Sequence, residues 1–173
     1  MYTGHAAIAM FVKAKRPRLP LALLIPVAYG PDWVDMFGHI VHHPSVEVSH
    51  SLVSVAICSV AVGLCAIPFF GGVDGAIVGA TYASHWLADT VTGLKPTWPG
   101  APPIGGQLYT HRLRDLALES ALVIVCWLVY RSSLRTAVRN AIATYAMPIG
   151  LIAMQTTFAF VHAPTLSLSL IHI

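Results

Sequence analysis

Histidine and aspartate carry most of the chemistry this sequence offers, and Ser84-His85-Trp86-Leu87-Ala88-Asp89 spaces one of each four positions apart. On a helix such positions share a face, with Cβ atoms about 5–6 Å apart, so the two side chains can chelate one ion or share a hydrogen bond. Pro31-Asp32-Trp33-Val34-Asp35 adds two carboxylates three residues apart, enough to bridge two cations or to hold one and orient its water. Ser49-His50-Ser51 sets another imidazole at the head of a long apolar run, where Ser49 reads as the helix cap and His50 projects inward. His111-Arg-Leu-Arg-Asp115 repeats the chelating spacing, and His5 follows Gly4 near the start of the chain. Each motif also has an ordinary reading: a His–Asp pair that pins helices, a Pro-Asp turn, a charge-paired helix start beside Arg112 and Arg114.

Taken as a set, histidine and aspartate suit zinc and related divalent ions, whose bound water is a nucleophile that needs no dedicated serine or cysteine. The sequence holds no serine nucleophile elbow, no Gly-rich phosphate loop and no His-Glu-x-x-His helix. Cys58, Cys65 and Cys126 fall singly in apolar runs and read as packing residues rather than a disulfide framework or thiolate site. The basic residues are scattered and not interleaved with aromatics, so nucleic acid is not an expected partner.

The elements that must position these groups are apolar helices. Of 173 residues, 56% are hydrophobic and 10% charged, where a soluble domain carries about 25% charged residues. Residues 51–70 run without a charge for the roughly 20 positions that cross a hydrocarbon core. Residues 116–130, interrupted by Glu119, and 141–161, with Pro148, are further spans; residues 75–91 form another, whose His85 and Asp89 must face inward because ionisable groups are costly at membrane depth. Residues 6–12 and 19–29 are each too short to cross and read as arms of a helical hairpin turned at the basic, proline-containing residues 13–20. Residues 30–49 and 93–106 read as loops outside the hydrocarbon or lining a cavity. The expected fold is therefore all-α, a polytopic membrane bundle of about 4–6 membrane helices including the short N-terminal hairpin. It forms a single domain over residues 1–167.

With the basic turn on the cytoplasmic side, alternating spans put seven basic residues inside, against Lys95, Arg112 and Arg114 outside. The same alternation gathers His5, His39, His42, His43, His50, His85, His111 and His162, with Asp32, Asp35, Asp89 and Asp115, at the non-cytoplasmic end. Lys95, Arg112 and Arg114 would then face the cluster and could attract an anionic phosphate, or simply anchor helices at headgroups. The N-terminus has no basic region or cleavage site of a removable signal, so His5 is expected in the mature chain. Residues 168–173 resemble translated sequencing-adapter read-through and are set apart as an artefactual tail.

The order Gly4-His5, Pro31-Asp32-x-x-Asp35, Ser49-His50-Ser51, Ser84-His85-x-Leu87-x-Asp89-x-x-Thr92 and a Pro-rich loop resembles the bacterial membrane-bound metal-dependent hydrolase family over roughly residues 4–103. Its motif series is similar to that of zinc-dependent phospholipases C. The resemblance implies a helical site of one to three divalent ions, zinc first among them, hydrolysing a phosphoester or lipid-headgroup bond at the bacterial inner membrane. It implies His5, Asp32 or Asp35, His50, His85 and Asp89 as ligands; Asp32, Asp35 and Asp89 are the expected catalytic carboxylates, and His42, His43, His111 and Asp115 are further candidate ligands. Membrane lipid is the expected partner. One departure stands out: where the family places a histidine five residues before that of the Ser-His-Ser motif, this chain has Ser45. Two other functions fit the same residues: a transport protein whose ion path is lined by His and Asp, and a structural membrane protein whose His–Asp pairs only fix packing.

Overall fold

The computed structural model describes residues 2–40 and 46–160, and its regular elements are helices. His42, His43, Ser45, His162 and residues 168–173 lie outside the described residues, as do the side chains of His39 and Glu47. The helices are α1 (Gly4–Lys15), α2 (Leu21–Ala28), α3 (Gly30–Ile40), α4 (Val46–Ser49), α5 (Leu52–Phe70), α6 (Gly72–Thr92), α7 (Arg112–Ser133), α8 (Thr136–Arg139) and α9 (Ile142–Phe160). Among the described residues there is no strand, only an isolated bridge between Lys95 and Ile104.

α1 and α2 are the two arms of the expected hairpin. Arg16 ends the first arm, and extended Pro20 caps the second, as befits a residue with fixed φ and no amide hydrogen. α1 is small-residued and central: Ala7, Ala9 and Met10 are wholly buried, Ala9 among Leu19, Leu24, Ala28, Ala66 and Val78, and Ala7 with Met10 against Val123 and Cys126. This makes α1 the element shared by the α2–α6 side and the α7 side of the bundle.

α5 and α6 form a close hairpin because glycines remove the side chains between them. A Cβ on Gly79 would stand 2.6 Å from the Ser59 carbonyl, and one on Gly75 would stand 2.9 Å from that of Gly63. Ser59 Oγ donates to the Gly79 carbonyl at 2.7 Å. Ser59-x-x-x-Gly63 facing Gly75-x-x-x-Gly79 is the small-residue pattern that lets helix backbones approach in lipid.

Among the described residues, Leu52–Phe70 and Thr136–Phe160 are the two stretches long and apolar enough to cross a membrane. A core helix of a soluble protein would be mostly buried; only 17% of the first window is, and Ile57, Val60, Leu64 and Phe69 are all exposed.

The basic turn after α1 and the start of α6 share an end of the molecule, since an Arg16 guanidinium nitrogen lies 3.6 Å from Asp74 Oδ1. The expected loop at residues 30–49 is instead largely helical. Pro31 at the start of α3 loses no hydrogen bond there, and Asp32 favours the first turn of a helix, so the residues read as breakers are good initiators. Residues 93–111 join α6 to α7 and contain the loop expected over 93–106, folded back over the α6 end: Pro96 and Thr97 carbonyls accept the Leu52 and Val53 amides at 3.1 Å, and Trp86 Nε1 donates to Pro96 at 3.2 Å. Gly105, at φ +152°, is pressed so close to the Gly93 carbonyl that a side chain would collide.

Candidate metal centre

At the end opposite the Arg16–Asp74 pair, three helices, a helix junction and a loop converge. α1 brings His5, α3 brings Asp32, the α4–α5 junction brings His50, α6 brings His85 and Asp89, and the loop brings Lys95. Among the described residues the potential ligand atoms form two overlapping groups, His5 with Asp32 and His85, and His50 with His85 and Asp89, each within 4.8 Å. His85 belongs to both.

His85 is fully buried, and its Nδ1–H donates to the Ala28 carbonyl at 2.9 Å. That bond uses Nδ1 and turns Nε2 into the site, the arrangement by which a carbonyl orients a metal-ligating histidine. Nε2 is buried without a hydrogen-bond partner, 3.4 Å from Asp89 Oδ2 and 3.5 Å from Asp32 Oδ1. A buried polar atom left so costs free energy unless something else binds it. The His5 ring stacks on His85 at 3.9 Å between centroids and 12° between planes, and its Nε2 donates to Asp89 Oδ1 at 3.1 Å. His50 Nε2 lies 3.1 Å from Asp32 Oδ1 and 4.0 Å from Asp89 Oδ2.

Asp89 is buried, whereas the Asp32 side chain is 47% exposed, so Asp32 stands at the open side. Partial burial works against its ionisation, but the bond from His50 and the nearness of the His85 and His5 imidazoles outweigh it and hold the carboxyl well below the usual range. Lys95 Nζ contacts Asp89 Oδ2 at 2.9 Å, the oxygen that His85 and His50 also approach. The Lys95 backbone cannot drift, because both its amide and its carbonyl bond to Ile104.

These donors fit a divalent cation: imidazole nitrogens and carboxylate oxygens from distant parts of the chain, with one buried nitrogen already turned inward by an outer carbonyl. Of the six principal residues anticipated from sequence, five meet here. The sixth, Asp35, is partly buried on α3 and belongs to neither group. His111 is exposed ahead of α7, while Asp115 is buried and accepts from Gln155 Nε2 at 3.0 Å; neither joins the groups. Ser49 does not cap α5 as anticipated. Ser51 Oγ accepts the Ser54 amide, and Ser49 Oγ lies 2.8 Å from His50 Nδ1, supporting the ring instead.

Glu119 is the residue whose role sequence reasoning missed. Its Oε2 accepts the Thr3 amide at 2.7 Å, the Gly4 amide at 3.1 Å and the Thr3 hydroxyl at 3.0 Å, while Oε1 accepts the Tyr2 amide at 3.1 Å. A carboxylate from α7 thus caps α1, satisfying orphan amides at the positive end of the helix dipole and fixing the turn that carries His5. The signal was available: a lone carboxylate in an apolar span needs a partner. No family model, curated protein or solved structure matches this chain.

Proposed function

We propose that the chain is a multi-pass, membrane-embedded, metal-dependent hydrolase acting on a phosphoester, with its site at the non-cytoplasmic face of a bacterial inner membrane. The observation that carries this reading is His85, whose outer nitrogen is committed to Ala28 and whose buried inner nitrogen is left without a hydrogen bond between two carboxylates. His5, His50, His85, Asp32 and Asp89 would hold the ion. When bound, a divalent cation such as zinc supplies Lewis-acid polarisation of the ester and a water acidic enough to attack near neutral pH.

The remaining roles belong to the chain. Asp32, half exposed at the open side of the site, is the carboxylate that an entering water meets and so the one placed to take its proton. The water oxygen bonds to phosphorus, the bond from phosphorus to the leaving oxygen breaks, and the proton passes to Asp32. Lys95 supplies positive charge at the edge of the site, which favours an anionic ester. Ala28 and Ser49 keep two imidazoles oriented.

The test is the metal content of purified protein beside His85→Ala and Asp89→Ala, followed by turnover of phosphoesters. Stoichiometric metal in the wild type, absent from both variants, is expected. A wild type that purifies and is reconstituted without metal ends this reading. One observation favours a second reading, a purely structural cluster: Lys95 already gives Asp89 a positive partner. On that reading His85→Ala changes stability and no metal is found.

A further inference from the structure

α3 is sharply two-faced. Trp33, Val34, Met36, Phe37 and Ile40 are between 47% and 65% exposed, while Pro31 and Gly38 are buried and Asp32 and Asp35 are partly buried. The outward residues at 33, 36, 37 and 40 follow the i, i+3, i+4, i+7 stripe of an amphipathic helix, yet the stripe faces away from the bundle. Five large apolar side chains on eleven residues is an exposed patch that water does not favour. At about 1.5 Å per residue the helix is roughly 16 Å long, about half of what crosses a hydrocarbon core, so it cannot be a span.

The patch does not end with α3. α3 packs on α4 and α4 on α5, and the exposed apolar surface continues through Val48 to Leu52 and Val53 at the head of the long apolar helix. A surface continuous with a membrane-length helix, apolar outward and bearing carboxylates inward, matches a helix lying in the plane of the interface. Trp33 adds a side chain suited to that depth.

We infer that α3 is an in-plane interfacial helix, its Trp33–Phe37–Ile40 face seated in the headgroup and acyl boundary of a phospholipid leaflet, so that Asp32 on its other face meets the site at headgroup depth. Where the metal-dependent phosphoester hydrolase reading holds, on which this step alone rests, the substrate is a phospholipid whose phosphate enters from the leaflet without leaving it.

The experiment compares wild type with Trp33→Phe in phosphatidylcholine vesicles whose acyl chains are brominated either near the glycerol end or near the tail end. The difference in emission isolates Trp33 from Trp86, Trp98 and Trp127. Bromines near the glycerol end are expected to remove about half of that difference signal, tail-end bromines less, and aqueous acrylamide little, as for a helix buried about 5–10 Å. Phe37→Trp in the Trp33→Phe background moves the reporter along the same face and should repeat the result even if one variant folds poorly. Quenching by acrylamide alone overturns the inference. So does a signal silent to both quenchers in which α3 cross-links to a second copy of the chain. Lipid quenching in a wild type that holds no metal leaves α3 in the interface and removes the hydrolase; metal bound without lipid quenching does the reverse.

Discussion

His85-x-x-x-Asp89 and His111-x-x-x-Asp115 have the same residues at the same spacing, and they end in opposite situations. His85 and Asp89 both lie inside α6, buried, with His85 Nε2 3.4 Å from Asp89 Oδ2. His111 stands just outside α7 at φ −117° and ψ 73°, exposed, and only its carbonyl joins the helix, accepting the Asp115 amide at 3.0 Å. The shared face of positions i and i+4 exists only where both residues are helical. Surroundings widen the difference. Asp89 is approached by groups from α1, α6 and the 93–111 loop, whereas Asp115 accepts from a neutral amide on α9.

The largest expected effect tests this contrast directly. His85→Ala should weaken divalent-metal affinity by at least about 100-fold, beyond the loss typical of a merely supporting residue, because it removes the nitrogen common to both ligand groups. His111→Ala should leave affinity within about twofold, as surface changes usually do. Competition titration against a chelating dye reads both. Equal losses in the two variants would erase the distinction between the pairs.

A second contrast lies one turn further along α7. Glu119 satisfies four donors at the head of α1, so Glu119→Ala should destabilise the protein by about 3 kcal/mol, the scale of stranding buried donors without a partner. Asp115→Asn keeps an acceptor for Gln155 and should cost under about 1 kcal/mol. Thermal unfolding in detergent measures both. The Glu119 variant should also lose metal affinity by about tenfold, because the turn carrying His5 loosens.

Asp32→Asn is expected to come next, lowering metal affinity by about tenfold while keeping the shape of the side chain, since the amide cannot carry the charge that His50 and His85 now favour. The same titration checks it, and unchanged affinity would remove Asp32 from the site.

Much of this arrangement was legible because its determinants are local. The uninterrupted apolar run announced α5, the basic proline-containing turn announced the α1–α2 hairpin, and the spacing of His85 and Asp89 announced one helical face. What stayed hidden depends on partners distant in the chain. Nothing beside Ala28 marks its carbonyl as the orienter of His85, and nothing near Glu119 points to the amides of Thr3 and Gly4 more than a hundred residues away. α3 was misread for another reason: proline and aspartate both break and begin helices, and only the apolar stripe that follows them decides which.

The smallest effect concerns what the Asp89 pair has and the Asp115 pair lacks, a lysine on its carboxylate. Lys95 Nζ and a divalent ion would claim the same oxygen, Asp89 Oδ2, and two cations a few ångströms apart repel even where solvent screens them. Lys95→Gln should therefore raise metal affinity by about fivefold, roughly 1 kcal/mol, while weakening turnover of an anionic ester through KM. The two shifts have opposite signs, which a general loss of structure cannot produce. If affinity instead falls with turnover, Lys95 is a prop of the site rather than a competitor for its carboxylate, and the charge that draws an anion must be sought in Arg112 or Arg114, both exposed beside His111.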